Sequence, residues 1–248
     1  MKKAPEPNLP SESLMSKAVF KFKQFSIRQE KSAMKVGTDG VLLGAWTAAE
    51  NPKHILDIGT GTGLIALMLA QRFEQAEIVG IDKDWDAFEE ASFNFEQSPF
   101  SNRLKAVHSP AQNFESAQNF DLIVSNPPFF EPSHPDDTAR SKARQQSELS
   151  FAELLESCSH HLTDDGNCAF IIPFNSTEKF IETAARFNLF PNKLTFVRGH
   201  ESAGFKRSLL SLSGSQKSVE KSELTIEISR NNYTRDYINL TRDFYLKM

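Results

Sequence analysis

Short apolar runs alternate along the chain with longer segments in which apolar residues recur every three or four positions. This alternation is typical of an α/β fold, in which buried strands form a mostly parallel sheet and helices cover both faces. The pattern predicts buried strands at 55–58, 77–82, 104–108, 120–125, 167–173 and 194–197. It predicts helices at 41–49, 64–72, 85–96, 151–161 and 176–187. Two more strands, at 208–212 and 224–228, are expected to close a sheet of about seven strands in antiparallel orientation.

The beginning of the chain has a different pattern from the rest. Residues 1–16 contain lysines and prolines but no apolar run, which predicts a disordered tail. From 19 to 27 apolar residues alternate with Lys21 and Lys23 and slip in phase, as in a bulged strand or a hairpin. Lys31 extends this basic stretch, which can be either a solvated strand face or an edge that binds phosphates.

Three glycines at alternate positions, Gly59, Gly61 and Gly63, separate a predicted strand from the next helix. Glycine tolerates positive φ and leaves no Cβ between backbone and ligand, so we expect a flat or slender molecule on this loop. A dinucleotide fingerprint would need its third glycine where Leu64 stands. Asp57 adds a carboxylate that repels a diphosphate by about 4 kcal/mol at about 4 Å and attracts a cation. S-adenosyl-L-methionine has the matching charge; the alternative is a loop whose glycines serve packing alone.

Further candidate ligand contacts lie on both sides of the glycine loop. Asp82 ends the following strand about 20 residues beyond the loop, where nucleotide-binding sheets place a carboxylate for ribose hydroxyls. Its alternative role is to cap the helix at 85–96. Lys35, Thr38 and Asp39 directly precede the strand that leads into the loop, so we expect them to contact the same ligand. Asp39 can also be a helix N-cap.

The sequence Asn126-Pro127-Pro128-Phe129 follows the predicted strand at 120–125, at a strand end where open α/β sheets place their chemistry. The prolines stiffen this turn and remove two donors, which makes the Asn126 amide and the Pro127 carbonyl fixed acceptors. Together they can accept both N–H groups of an exocyclic amine and direct its lone pair toward a methyl group. If this amine belongs to a purine base, Phe129 is expected to stack on that base, a contact worth about 1–3 kcal/mol.

Charge and composition restrict the partners. The net charge is −4, but basic residues concentrate in the two flanks of the chain and the central region is acidic. A bound polyanion is therefore expected on the flanks. The 6 His and 2 Cys have no metal-ligand spacing, so we expect no metal. With no secretory signal and no apolar run near the ~18 residues of a membrane helix, the sequence predicts a cytoplasmic protein without a membrane partner.

Two motifs together resemble a known family. Residues 57–63 (Asp-Ile-Gly-Thr-Gly-Thr-Gly) and 126–129 are similar to class I S-adenosylmethionine-dependent methyltransferases that modify amino nitrogens. Four further segments resemble the bacterial tRNA(Val) adenine N6-methyltransferases, namely 22–25, 34–46, 64–70 and 240–246. The resemblance implies a Rossmann-like fold and methylation of the adenosine 3′ of the anticodon, in a single-stranded loop. Because Pro110 stands where an acid usually contacts the cofactor adenine, that contact is assigned to the backbone at Ala111 or to Gln112.

The resemblance and the basic flanks predict that the partner is tRNA. We expect the protein to be a monomer. The basic residues predicted to contact RNA are Lys21, Lys23, Lys31, Arg140, Lys142, Arg144, Lys206 and Arg207. Those between 140 and 144 can equally belong to a solvated loop. Three alternatives to an RNA methyltransferase stay open: a protein glutamine N5-methyltransferase, a non-catalytic RNA-binding module and a nicotinamide oxidoreductase.

The length suits one α/β domain with additions, which we place at 17–248. It comprises a basic N-terminal extension (17–52), a cofactor-binding core (53–192) and closing strands with an aromatic C-terminal segment (193–248). Residues 130–150 are polar and lack an apolar period, so they are predicted to form a lid over the acceptor within the core.

Overall fold

A nine-stranded sheet lies at the centre of the part of the chain that the computed structural model describes, residues 19–32, 34–128 and 150–248. A separate two-stranded hairpin precedes it. The strands are β1 (Val19–Lys21), β2 (Ser26–Arg28), β3 (His54–Ile58), β4 (Glu77–Asp82), β5 (Leu104–His108), β6 (Phe120–Ser125), β7 (Leu162–Pro173), β8 (Phe190–His200), β9 (Arg207–Ser213), β10 (Glu220–Ser229) and β11 (Asn232–Tyr233). Their order across the sheet is β11-β10-β8-β9-β7-β6-β3-β4-β5.

Most neighbouring strands of the large sheet are parallel. This holds for β5 with β4, β4 with β3, β3 with β6 and β6 with β7. Strand β9 runs antiparallel between β7 and β8, and β11 runs antiparallel to β10. The predicted mostly parallel α/β sheet is therefore confirmed. Its strand count exceeds the expected number because a two-residue strand such as β11 is too short to produce a sequence period.

One closing strand has the opposite orientation to the one predicted. Strand β10 was expected to be antiparallel, but it pairs parallel with β8. The reason lies in β9, which ends with Ser213 opposite Phe190, at the beginning of β8. The connection at 214–219 then delivers the chain to the same end of the sheet, where Glu220 pairs with Lys193. The next strand must therefore run in the direction of β8.

Helices cover both faces of the sheet and bury its strands. The described helices are α1 (Thr38–Trp46), α2 (Leu64–Arg72), α3 (Trp85–Glu96), α4 (Phe151–His161), α5 (Thr177–Ala185) and α6 (Arg235–Thr241). Ile55 of β3 packs in a core with Leu42 of α1 and Leu67 of α2. Its neighbour Leu56 points to the opposite face, into a core with Phe180 of α5. Because β3 is buried on both faces, its sequence is apolar without alternation.

The structure confirms the predicted ranges of α2, α3 and α4 and resolves the ambiguity at the N-terminus, where β1 and β2 form an antiparallel hairpin. Helix α1 begins earlier than predicted, at Thr38, and its N-cap is Gly37. The interpretation of Asp39 as an N-cap is therefore wrong, since this residue lies in the first turn. The predicted tail and, except for Ser150, the predicted lid lie outside the described residues. None of the described helices is long and apolar enough to cross a membrane.

Candidate active site

The glycine loop between β3 and α2 has one tightly packed end and one open end. The φ angle is 81° at Gly63 and 73° at Gly59, a region that side chains rarely adopt. A Cβ added at Gly63 would lie 2.4 Å from Cε1 of Phe95. A Cβ added at Gly59 would meet no described atom within 4 Å. Gly63 therefore allows α2 to pack near α3, whereas Gly59 leaves space for a ligand.

The carboxylate of Asp82 fixes the glycine loop to the end of β4. Its Oδ2 accepts a hydrogen bond from the amide of Gly61 at 2.9 Å, and its Oδ1 accepts one from the amide of Asp84 at 3.0 Å. The helix cap belongs to another residue, because the side chain of Asp84 accepts from the amide of Ala87 at 2.9 Å. Asp82 is half-buried beside a cavity and keeps acceptor capacity for a further donor.

A cavity of about 380 Å³ lies between the glycine loop and the carboxyl ends of β4 and β6. We call it the first cavity. Its wall includes Gly59, Gly61 and Asp82 on one side and Asn126 and Pro127 on the other. Three predicted contact groups, the loop, the strand-end acid and the Asn-Pro-Pro turn, therefore meet at one place.

The first cavity is closed at another side by residues 109–112. Ala111 and Gln112 belong to its wall, as does Pro110. The carbonyl of Ala111 accepts a hydrogen bond from Ser157 Oγ at 3.2 Å, and Gln112 Nε2 donates to Glu153 Oε1 at 3.1 Å. These bonds attach the segment to α4. The structure thus places the predicted adenine contacts opposite the glycine loop.

A second cavity, of about 480 Å³, adjoins the first on the other side of the glycine loop. Its wall includes Lys35, Thr38 and Asp39, which the sequence assigned to the cofactor, and Arg207, which it assigned to RNA. Nε of Arg207 donates to Oδ2 of Asp39 at 2.8 Å. Nζ of Lys35 donates to the carbonyl of Gln29. The second cavity therefore has charged groups of both signs.

Asn126 lies where the two cavities meet, because its side chain borders both of them. Nδ2 of Asn126 is 3.9 Å from Sδ of Met34. The preceding Ser125 donates from Oγ to the carbonyl of Ile58 at 2.8 Å, which joins the ends of β6 and β3. Pro127 is buried and Pro128 is exposed, while Phe129 lies outside the described residues. The backbone of Asn126 thus lies at the junction, between a strand end joined to β3 and two prolines.

Asp57 lies beneath the glycine loop and borders neither cavity. It is fully buried, and its Oδ2 accepts from Thr60 Oγ1 at 2.8 Å and from the Ala66 amide at 3.2 Å. Its Oδ1 has no hydrogen-bond partner among the described residues. Burial is the main cause that raises the pKa of Asp57 to about 7; the charge of Asp82 adds to this effect, and the hydrogen bonds from Thr60 and Ala66 oppose it. The structure therefore places the carboxylate as an internal support of the loop.

Two buried polar residues of α3 were not predicted from the sequence to have a role. Both hold the segment that borders the first cavity. The carboxylate of Glu90 accepts from the amides of Glu30, Lys31 and Ser32, at 2.5, 3.0 and 2.9 Å. One turn later, Asn94 bonds both backbone groups of Arg28. The only sequence signal was the spacing of an acid and an amide four residues apart on the apolar face of the helix.

The basic residues predicted for RNA that the structure describes have different surroundings. Lys21 and Lys23 belong to the N-terminal hairpin region, where Lys23 Nζ donates to the carbonyl of Arg242. Lys31 pairs with Glu89 on the surface, with Nζ 2.6 Å from Oε2. Lys206 is exposed next to Arg207 at the start of β9. The three basic residues of the predicted lid, Arg140, Lys142 and Arg144, lie outside the described residues.

Comparison with known proteins identifies the family. Residues 32–180 match the family model of the methyltransferase small domain. A Flavobacterium johnsoniae protein named tRNA1(Val) (adenine(37)-N6)-methyltransferase is 49% identical over 235 residues, which cover 93% of this chain and all of that protein. The chain belongs to this methyltransferase family. Proteins of the same name from Bacteroides fragilis and Trichodesmium erythraeum are 42% and 44% identical, over 94% and 92% of this chain and 100% and 98% of theirs.

Solved structures agree with the class I methyltransferase fold. A predicted O-methyltransferase from Agrobacterium tumefaciens superposes with a TM-score of 0.66 at 18% identity, over 83% of this chain and 96% of that one. TYW2 of P. horikoshii, in complex with MeSAdo, superposes with a TM-score of 0.57 at 12% identity, over 79% and 71% of the two chains. At such low identity, these likenesses concern the fold alone.

The residues of this methyltransferase fit its cofactor, S-adenosylmethionine. A Cβ at Gly59 would project into open space, which is what a cradle for a closely lying ligand requires. Asp82 keeps acceptor capacity beside the loop, which suits hydroxyl donors of a sugar, and Ala111 lines the same cavity. The second cavity has an acid and two bases, the charges that complement a zwitterionic amino-acid group.

Proposed function

We propose that this enzyme transfers a methyl group from S-adenosylmethionine to N6 of adenine 37 in tRNA1(Val), the activity for which its relatives are named. The observation that carries the proposal is the position of Asn126 between the two cavities. An acceptor held there would reach the methionyl part of the cofactor, provided that the ribose lies against Asp82.

The acceptor nitrogen needs help because its lone pair is delocalised into the purine ring. Asn126 Oδ1 and the Pro127 carbonyl can each accept one N–H of the amine, which draws the nitrogen toward tetrahedral geometry. The Ser125 bond to β3 and the two prolines restrict the backbone on both sides of Asn126, which limits the reorganisation that the acceptors need during the reaction.

Bound S-adenosylmethionine supplies an electrophilic methyl group, whose transfer forms a C–N bond, breaks a C–S bond and leaves a neutral thioether. Asn126 and Pro127 carry no basic group, so the proton released by the nitrogen leaves to water. Catalysis by this chain thus consists of positioning and of acceptor hydrogen bonds rather than of general-base chemistry.

The same two acceptors would also fit the side-chain amide of glutamine. Adenine is favoured because the relatives that cover at least 92% of this chain, at 41–49% identity, are named as adenine methyltransferases. The intact loop and Asn-Pro-Pro turn favour an enzyme over a non-catalytic RNA-binding module. The position of Leu64 disfavours a nicotinamide oxidoreductase.

Methylation of two transcripts tests the proposed function. One is unmodified tRNA1(Val), and the other carries guanosine in place of adenosine 37. We expect N6-methyladenosine in the nucleoside digest of the first transcript and no methyl incorporation into the second. Equal methylation of both transcripts, or methylation of protein that survives RNase treatment, would contradict the proposal.

A further inference from the structure

Three phenylalanine side chains form a cluster at the edge of the sheet beyond the second cavity. Phe174 follows β7, Phe196 lies on β8 and Phe205 precedes β9. Their ring centroids are 5.3 Å (Phe174 to Phe196), 5.4 Å (Phe174 to Phe205) and 5.7 Å (Phe196 to Phe205) apart. We call these residues the phenylalanine cluster. Phe174 is 38% exposed, and the other two are partly exposed.

The packing of the two hydrophobic cores does not account for this cluster. The core that contains α1 and α2 and the core that contains α4 and α5 are both formed without these three residues. The three rings contact one another at the surface of the described structure instead. A contiguous apolar patch that stays exposed is typical of a binding surface, and Phe174 is the most exposed of the three rings.

Backbone pairing places the phenylalanine cluster at the same end of the sheet as the second cavity. The amide of Phe174 donates to the carbonyl of Lys206 at 3.1 Å. The preceding residue, Pro173, pairs with Arg207 across β7 and β9. Arg207 borders the second cavity together with Asn126. The phenylalanine cluster and Arg207 therefore lie at the same end of the sheet, with Phe196 and Arg207 on opposite faces, because Phe196 pairs with Ser208 and Val197 pairs with Arg207.

Charged residues of both signs lie near the phenylalanine cluster. Cζ of Arg198 lies 5.2 Å from the centroid of the Phe205 ring, and Lys206 is exposed beside that ring. Arg198 also contacts Glu223, with its Nη2 3.4 Å from Oε2, and Glu201 is exposed in the nearby β8–β9 turn. Aromatic rings combined with Arg and Lys are the usual means by which proteins bind single-stranded nucleic acid.

We propose that the phenylalanine cluster stacks on an unpaired base adjacent to the target adenosine of the RNA substrate. This inference rests on the proposed function. A target base that is turned out of its stack toward Asn126 deprives its neighbour of a stacking partner. An aromatic surface beside the cavity replaces that partner, and it tolerates different bases because every base has a π-face.

Substitutions at Phe174 separate stacking from simple apolar packing. We expect Phe174→Ala to raise the KM for tRNA on the order of 10-fold, as for loss of one base stack. The affinity for S-adenosylmethionine should stay unchanged, and a cooperative melting transition should show that the variant is folded. Phe174→Trp should retain the wild-type KM, whereas Phe174→Leu should behave like Phe174→Ala. Phe93→Ala is the matched control, since Phe93 is 36% exposed with Arg28 above its ring but lies on α3, in the wall of neither cavity.

A double-mutant cycle that combines Phe174→Ala with altered RNA substrates identifies the stacked base. Two anticodon stem-loops carry an abasic site directly 5′ or directly 3′ of the target adenosine. We expect Phe174→Ala to have no further effect on one of these RNAs, because the base on which it acts is missing. Any of three results would overturn the stacking role. The KM of Phe174→Ala could equal that of the wild type, Phe174→Leu could have full activity, or the effects of Phe174→Ala could be additive with both RNAs.

The outcomes also distinguish this inference from the proposed function. If the wild-type enzyme leaves tRNA1(Val) unmethylated, the proposed function fails. If the wild-type enzyme methylates it and the Phe174 variants keep the wild-type KM, only the stacking role fails. Full activity of Phe174→Leu would assign the cluster to apolar contact within the chain.

Discussion

Arg207 and Asp39 form an ion pair across the wall of the second cavity, with 2.8 Å between Nε and Oδ2. Arg207 begins β9, and Asp39 lies in the first turn of α1. The sequence assigned the two residues to different ligands, one to RNA and the other to the cofactor. Their contact means that the charge of each side chain controls the position of the other.

A double-mutant cycle on this pair tests whether the two residues act as one unit. We expect Asp39→Asn and Arg207→Gln each to weaken S-adenosylmethionine binding by about 3–10-fold, because each change leaves the other side chain without its partner. The double variant should bind S-adenosylmethionine no more weakly than the single variant that has the larger loss of affinity. Isothermal titration with the cofactor provides the affinities, and additive losses would mean that the residues act separately.

Glu90 is expected to stabilise the segment that borders the first cavity. In Glu90→Gln, an amide NH₂ would face backbone N–H groups that now donate to a carboxylate, at a cost of about 2 kcal/mol of unfolding free energy. Cofactor affinity should also fall, because Ser32 and Met34 line the first cavity. Urea denaturation and cofactor titration measure the two effects.

The neighbouring residue provides a matched control for Glu90. Glu89 is an exposed acid whose partner Lys31 is equally accessible, and Glu89→Gln should leave both quantities near their wild-type values. Equal behaviour of the Glu89 and Glu90 variants would show that the buried hydrogen bonds do not hold the segment.

Asp57 should make the stability of the enzyme depend on pH. Burial raises its pKa from 3.8 to about 7, so the folded chain binds a proton that the unfolded chain releases between these values. Its contribution to stability is fully present below pH 3.8 and is lost as the pH rises through about 7. Above that range the buried charge costs roughly 4 kcal/mol.

In Asp57→Asn the amide oxygen can still accept from Thr60 and Ala66, and no charge is buried. The unfolding free energy of the variant, relative to wild type, should therefore increase between about pH 5 and 8. Denaturation at several pH values measures this difference. A difference that is independent of pH would exclude a raised pKa at Asp57.

Two glycines of the loop are expected to respond differently to alanine. Both positions have positive φ, which costs alanine about 1–2 kcal/mol. In Gly63→Ala the methyl group also collides with Phe95, so the loss of unfolding free energy should be larger by about 1–3 kcal/mol. In Gly59→Ala the methyl group enters space beside the cavities, so the larger loss should be in cofactor affinity. Equal losses of stability in both variants would contradict these separate roles.

Local patterns predicted local structure well. The ranges of α2, α3 and α4 followed from the recurrence of apolar residues, and the structure adds the cap bonds between Ser150 and Glu153 at the start of α4. The position of Asp82 and Asn126 in the wall of one cavity also agrees with the sequence, because the carboxyl ends of parallel strands share one edge of the sheet.

Features that depend on distant parts of the chain did not follow from the sequence. The parallel orientation of β10 is set by the position of β9, and the function of Glu90 depends on backbone groups 58 to 60 residues away. Asp57 has a motif position typical of ligand binding, yet only the fold places its carboxylate beneath the loop. The phenylalanine cluster joins three separate segments, so no local period indicates it.

The rate of single-turnover methylation by Asn126→Ala, with tRNA1(Val) and saturating S-adenosylmethionine, tests most directly whether Asn126 receives the acceptor amine. Saturation removes any contribution of Asn126 to cofactor affinity, so the rate reports the chemical step. We predict a decrease of about 100-fold or more, as for loss of a positioned polar group that acts in the transition state. A rate equal to that of the wild-type enzyme would contradict the account.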